Sequence, residues 1–370
     1  MRPLPEYPWE SLKPFREQAA QHPDGVVDLS IGTPADPTPA IIQDALAANT
    51  DAHGYPPTEG SVQLREAIVQ WFARRRKTAG LGIDAVLPTV GSKELVAWLP
   101  TLLGLSGDDL VIHPVTAYPT YGVGADLADV DSLASDEPWN LDGSTKERIK
   151  LIWVNSPANP TGAVMDTEQL RKVVQFARTI GAVVASDECY AELGWDDWEE
   201  HVPGLLEPAV SENNLENLLA VYSMSKQSNM AGYRASFIAG DNQLIAELTN
   251  LRKHAGMMVP APIQHALTVA LGDDQHVQEQ KDRYRRRRNQ LKEALTTAGF
   301  SITHSQAGLY LWVSAEDHDC WSLVEKFAAA GIVVGPGSFY GPVGENNIRI
   351  SLTASDEAVA QAVKRIPQVL

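Results

Sequence analysis

No stretch of this 370-residue sequence is apolar for long enough to cross a bilayer: runs such as residues 181–185 and 218–221 are strand-sized, against about 20 residues for a spanning helix. Cysteine is scarce. Cys189 and Cys320 stand more than a hundred positions apart, which argues against a disulfide framework and for two reduced, buried thiols. Positive charge is also short, with 30 Lys and Arg against 47 Asp and Glu and a net charge of −17, so nucleic acid and anionic membrane are disfavoured as partners. The nine histidines and two cysteines lack metal-ligand spacing, so no metal site is expected. Gly122-Val123-Gly124 lacks the third glycine of a dinucleotide loop and reads as the start of a helix. The N-terminus, with Pro3, Pro5 and Pro8 around Glu6, lacks a basic-then-apolar signal pattern, and the expected location is the cytoplasm.

What is present exceeds what one hydrophobic core usually serves, so two units are expected. From about residue 45 to 250, short apolar runs alternate with amphipathic ones, as a mostly parallel sheet with crossover helices requires. Strands are expected at 110–113, 150–155, 182–186, 218–222 and 235–239, with a crossover helix over 166–180. Beyond 250 the pattern changes to a long helix (275–298), a strand (308–313), a helix (320–330), strands at 332–334 and 348–352, and a final helix from Ser355. The expected organisation is α/β: a large domain over 45–250, a smaller α+β domain over 251–370, and an N-terminal arm, 1–44, whose residues 28–31 pack against the smaller unit. The basic runs 74–77 and 285–288 read as solvated helix faces, and the acidic run 196–200 as an exposed loop near the site entrance.

In open α/β sheets, ligands sit beyond the carboxyl ends of the strands, so the residues just after each expected strand come first. Asn155-Ser156-Pro157-Ala158-Asn159-Pro160-Thr161-Gly162 follows one strand, Asp187-Glu188-Cys189-Tyr190 the next, and Ser223-Met224-Ser225-Lys226 a third, with Arg234 eight positions beyond the lysine. Each motif alone is weak, since a turn or an exposed lysine would explain it. The ordered series resembles the class I/II aminotransferases, fold-type I enzymes that depend on pyridoxal phosphate.

That resemblance implies a role for each residue. Lys226 would be the amine that bonds covalently to the cofactor and moves the substrate proton. An unpaired carboxylate at the end of an apolar strand is costly, so Asp187 needs a cation, and the resemblance supplies the pyridine nitrogen; capping a following helix is the plainer alternative. Tyr190 and Asn159 would bond the ring oxygen, Tyr118 would stack on the ring, and Ser92, Lys93, Ser223, Ser225 and Arg234 would hold the phosphate. The start of the helical run after Gly91 has free N–H groups suited to an anion, although Ser92 could be an ordinary N-cap. Tyr55, in Tyr55-Pro56-Pro57-Thr58-Glu59-Gly60, would reach the phosphate of the neighbouring subunit, implying a homodimer with shared sites. Arg349 would grip the substrate α-carboxylate with two parallel hydrogen bonds, and Gly32 would close over it, a turn glycine being its alternative.

The expected reaction is transamination between amino acids and 2-oxo acids. A fold-type I lyase shares the cofactor set and stays open; a non-catalytic regulator is less expected, since the segment before residue 28 leaves no room for a winged helix and the net charge disfavours DNA. Pro8-Trp9, His22-Pro23-Asp24-Gly25, the run from Val27 to Pro34, Asp36-Pro37 and the Tyr55 motif resemble the actinobacterial type of succinyldiaminopimelate transaminase. This implies glutamate as donor and N-succinyl-2-amino-6-oxopimelate as acceptor; acetylornithine, aspartate or aromatic acids remain alternatives.

Overall fold

Residue patterning decides which faces of the strands are covered. The structure, a computed structural model, describes residues 4–370; residues 1–3, and with them Pro3, lie outside the described residues. In chain order the strands are β1 (Val27–Asp28), β2 (Val86–Val90), β3 (Leu110–His113), β4 (Asp131–Ala134), β5 (Ile149–Asn155), β6 (Val183–Asp187), β7 (Leu218–Ser223), β8 (Ala235–Gly240), β9 (Ser301–Thr303), β10 (Tyr310–Ser314), β11 (Ile332–Val333), β12 (Gly335–Pro336) and β13 (Asn347–Ser351). Seven form one sheet in the order β2-β8-β7-β6-β5-β3-β4. β8 runs antiparallel to both of its neighbours, and every other pairing in this sheet is parallel. The chain therefore has the expected α/β architecture, with a mostly parallel central sheet flanked by helices.

Period-2 alternation explains why these strands read as continuous apolar runs. In β5, Ile152 and Val154 join one hydrophobic cluster while Leu151 and Trp153 join the other; in β7, Ala220 and Tyr222 face the first and Leu219 and Val221 the second. Helices cover both faces. The crossover helix Thr167–Ile180 starts in a capping box, Asp166 with Gln169, and stops at Gly181 with φ 67°. It presents Leu170, Val173, Val174 and Ala177 to the core at helical spacing. The expected element types recur, with bounds shifted by one or two residues. β2 and β4 are not among the expected strands.

A four-stranded antiparallel sheet, β12-β13-β10-β9, holds a separate cluster of Leu311, Val313, Ile348 and Ile350 against Tyr284, Leu291 and Leu295 of the helix Gln275–Thr297. β1 pairs in parallel with β11, joining the N-terminal segment to this part of the molecule.

The two basic runs are not solvated helix faces. Arg76, 2% exposed, donates to Glu188, and Arg75 pairs with Glu192. Arg287, also 2% exposed, makes two 2.7 Å bonds to Asp36 and one of 2.6 Å to Asp356. Arg288 donates to Asp196, and Lys281 and Arg285 pair with Glu199, so the acidic run 196–200 is a partner of the basic helix. Burial raises the Asp36 carboxyl, but bonds from Arg287 and Gln280 outweigh it and hold it below the usual carboxylate range. Its contribution to stability is therefore present above the unfolded value and lost as pH falls from 3.8 downward. Arg287→Met is expected to destabilise the fold, read by urea denaturation, by less than the roughly 3–5 kcal/mol of a fully buried pair, because it strips the half-buried Asp36 of its cation.

Candidate active site

Strand register brings the site together. β5 and β6 are in parallel register with Asn155 opposite Asp187, so two polar strand ends become neighbours. Ser223 ends β7. β2 runs in the same direction as β7 because both are antiparallel to β8, which delivers Gly91 and Ser92 to the same end of the sheet. A cavity of about 820 Å³ opens there, lined by these strand ends, the N-terminal segment, Tyr310 and Arg349.

Asp187 accepts hydrogen bonds from the Tyr121 hydroxyl at 3.1 Å and the Cys189 N–H at 3.2 Å. Among the described residues no cation pairs with it, and burial pushes its carboxyl above the ordinary value. It caps no described helix. Beside it, the Asn155 amide donates to the carbonyls of Asp187 and Pro157 and its oxygen receives the Asn159 N–H at 2.8 Å, so one strand-end residue shapes the Asn159 turn.

Arg349 is buried in β13. It donates to Asn159 Oδ1 at 2.9 Å and to the Ser30 carbonyl at 2.6 Å, and its Nε has no partner among the described residues. The rings of Tyr310 and Tyr340 lie 4.1 and 5.1 Å from its guanidinium carbon. Tyr310 also meets Tyr190 hydroxyl to hydroxyl at 3.3 Å. Burial raises the Tyr310 phenol, but the Arg349 and Lys226 cations outweigh burial and leave it below its ordinary range. The same ring explains Gly32: a Cβ there would sit 2.1 Å from the Tyr310 oxygen.

Lys226 lies on a four-residue helix, Met224–Gln227, too short to persist alone. Ser223 caps it, and the Lys226 amine bonds the Gly32 carbonyl. The long helix Gln275–Thr297 holds it from below: Tyr284 donates to the Lys226 carbonyl at 3.3 Å, and Ser228 bonds His276 Nε2 at 2.7 Å while His276 Nδ1 meets Asp273 at 2.6 Å. Ser228 is fully buried, so this Ser-His-Asp chain is a support rather than a nucleophile.

The other end of the cavity suits an anion. Gly91, φ 83°, is the N-cap of the helix Ser92–Leu102, so Ser92 is the first helical residue rather than the cap. The first N–H groups of that helix open toward the cavity, which Ser92 and Lys93 line. A Cβ on Gly91 would fall 1.9 Å from the Arg234 guanidinium, so glycine is what lets Arg234 lie across the helix start. Ser223 and Ser225 line the same cavity, their hydroxyls 2.8 Å apart. Tyr118 lines it too, burial pushing its phenol up to about 12. Of the residues singled out in the sequence, only Tyr55 stands apart: it is 96% exposed and does not line the cavity. Tyr121, Tyr310 and the arm residues Tyr7, Lys13 and Arg16 line the cavity without having been assigned a role from the sequence, and Asn155 and Trp9, noted there only as parts of motifs, line it too. Position at a strand end flags Asn155; no local signal marks Tyr310 or the arm.

This chemistry fits pyridoxal phosphate. A buried, uncompensated carboxylate suits a protonated pyridine nitrogen. A helix start with Arg234 and two serines suits a phosphate, and an amine between them suits a carbonyl carbon. The family profile "Aminotransferase class I and II" matches residues 24–366. The chain is 50% identical to the 4-dedimethylamino-4-oxo-anhydrotetracycline transaminase of Streptomyces rimosus, over 99% of this chain and 100% of that protein. It is 51% identical to a probable aminotransferase of Mycobacterium tuberculosis, over 98% and 85%. A solved structure of a probable N-succinyldiaminopimelate aminotransferase from Thermus thermophilus superposes with a TM-score of 0.87 at 26% identity, covering 98% of this chain and 100% of that one. No described helix is long and apolar enough to cross a membrane. The chain belongs to the class I and II aminotransferases, enzymes that use pyridoxal phosphate to move amino groups between amino acids and 2-oxo acids.

Proposed function

We propose that this enzyme transfers the amino group of glutamate to N-succinyl-2-amino-6-oxopimelate, with Lys226 as the covalent anchor and proton carrier. The observation that carries the acceptor reading is the charge of the cavity. Its lining holds six cations (Lys13, Arg16, Lys93, Lys226, Arg234 and Arg349) and two carboxylates (Glu10 and Asp187), in a chain whose net charge is −17. A polycarboxylate acceptor accounts for that local reversal, and the N-terminal motifs point the same way.

Bound in this cavity, pyridoxal phosphate supplies a carbonyl carbon for amine exchange and a ring that withdraws electrons from the substrate α-carbon. The remaining work belongs to side chains. Asp187 would hold positive charge on the ring nitrogen, Tyr190 and Asn159 would bond the ring oxygen, and Tyr118 would stack on the ring. Ser92, Ser223, Ser225, Arg234 and the Lys93 N–H would hold the phosphate. Arg349, pinned by Asn159 and Ser30, presents its free edge to the α-carboxylate, with Gly32 closing beside it. Lys226 Nζ, which bonds the Gly32 carbonyl, would take and return the substrate α-proton. Tyr55, exposed and outside the lining of its own cavity, would complete the site of a second subunit in a homodimer.

The test is a coupled assay with glutamate as donor and acceptors at equal concentration. The succinylated acceptor is expected to exceed oxaloacetate and aromatic 2-oxo acids by at least about tenfold in kcat/KM, or about 1.4 kcal/mol in transition-state binding. A preference of that size for either of the others, or for an anhydrotetracycline ketone like that of the Streptomyces relative, ends the acceptor assignment and leaves the transaminase.

A further inference from the structure

Three of the six cavity cations have work in the reaction as proposed: Lys226, Arg234 and Arg349. Lys93 lies 5.2 Å from the centroid of the Tyr7 ring, a cation–π position. Lys13 and Arg16 remain. They stand three residues apart on the helix Lys13–Ala19, so both side chains leave the same face, and both line the cavity. Among the described residues Lys13 makes no ion pair. Arg16 reaches Asp28 only at 3.6 Å, across a pair in which both side chains are more than a third exposed, an arrangement of little worth. Its Nε is buried, with no acceptor among the described residues.

The decisive contact is Ser30. Arg349 Nη2 donates to the Ser30 carbonyl at 2.6 Å, and Arg16 Nη2 donates to the Ser30 hydroxyl at 3.2 Å. Two guanidinium groups are thus fastened to one residue. One residue's width and two hydrogen bonds put their facing nitrogens no more than roughly 10 Å apart. That is the scale of a seven-carbon chain with a carboxylate at each end.

We infer that Lys13 and Arg16 form a second anion site, which takes the far carboxylate of a dicarboxylic 2-oxo acid while Arg349 takes the near one. The inference rests on the proposed role of Arg349.

The experiment uses the intact holoenzyme with glutamate as donor and two acceptors that differ only at the far end, 2-oxopimelate and 2-oxoheptanoate. Lys13→Ala and Arg16→Gln are each expected to lower kcat/KM for 2-oxopimelate about tenfold, mainly through KM, since each removes a charge-assisted contact. The loss for 2-oxoheptanoate should stay within about threefold. Arg16→Gln keeps a donor for Ser30, so a fold defect does not mimic the result. Added salt should erode the wild-type preference for 2-oxopimelate. Equal losses on both acceptors, or no loss on either, overturn the site. Arg349→Gln separates the two readings: it should weaken both acceptors, and weakening 2-oxopimelate alone refutes the role of Arg349. A wild type that rejects the succinylated acceptor yet shows this discrimination loses the proposed substrate and keeps the second anion site.

Discussion

Lys226→Ala is expected to lose at least about four orders of magnitude in kcat while still binding pyridoxal phosphate, because the proposed covalent anchor and proton carrier are one group. Its amine lines the same cavity as Asp187 and the residues proposed to hold the phosphate, and those proposed phosphate contacts would not depend on it. The variant should therefore retain the cofactor through dialysis yet fail to be labelled by borohydride. In the wild type, mass spectrometry should place the reduced label on Lys226, and a label on another lysine removes the assignment. The same variant tests the dimer. Mixed with an inactive Tyr55 variant, it should recover up to about a quarter of wild-type activity under statistical subunit exchange, since one composite site in the mixed dimer is intact. Exchange without recovery would return Tyr55 to its own subunit.

Asp187→Asn is the second large effect, and it has two readouts of opposite sign. In turnover, the loss should reach about a hundredfold to ten-thousandfold in kcat, because the carboxylate matters most as negative charge develops on the ring. In the protein without cofactor, the substitution should stabilise. Burial raises the Asp187 carboxyl, with bonds from Cys189 and Tyr121 only partly opposing it. A carboxyl raised in the folded state binds its proton more tightly there than in the unfolded chain. Stability is therefore lost as pH rises from the unfolded value toward the folded one, and the deficit persists above it. The neutral amide has no such deficit, so at neutral pH the cofactor-free variant should melt above the cofactor-free wild type. A lower melting temperature together with near-normal turnover would refute a charge-matching role for Asp187.

Much of this site is legible in the sequence because its chemistry sits where the secondary-structure pattern changes. Asp187, Ser223 and Asn155 end apolar strands, and Lys226 and Asn159 follow within a few residues, so a reading of strand ends finds the neighbourhood. Tyr310 is different. It lies inside β10, apolar on both sides in sequence, and becomes a site residue only through its approach to Arg349 and Gly32. The arm residues Lys13 and Arg16 are hidden for a similar reason: their neighbours Ser30 and Arg349 come from a loop and a strand distant in the chain. The misread basic runs show the limit of local charge patterns. Arg287 and Arg76 look like surface charges until Asp36 and Glu188, remote in sequence, are brought beneath them by the fold. Strand identity is local; pairing of buried charges is not.

The helix Gln275–Thr297 has a bearing on the lifetime of the site as well as its shape. Its polar residues His276, Gln280, Tyr284 and Arg287 face one side and hold, in turn, Ser228, Asn229 with Asp36, the Lys226 carbonyl, and Asp36 with Asp356. The short turn bearing the reactive amine, the N-terminal segment and the C-terminal helix are thereby fastened to one rod. Amide protons around Lys226 should then exchange with solvent only when the rod itself lets go, on the slow scale of whole-molecule opening rather than of loop fraying. The steadiness of this turn is inherited from a helix anchored along its length by buried polar contacts.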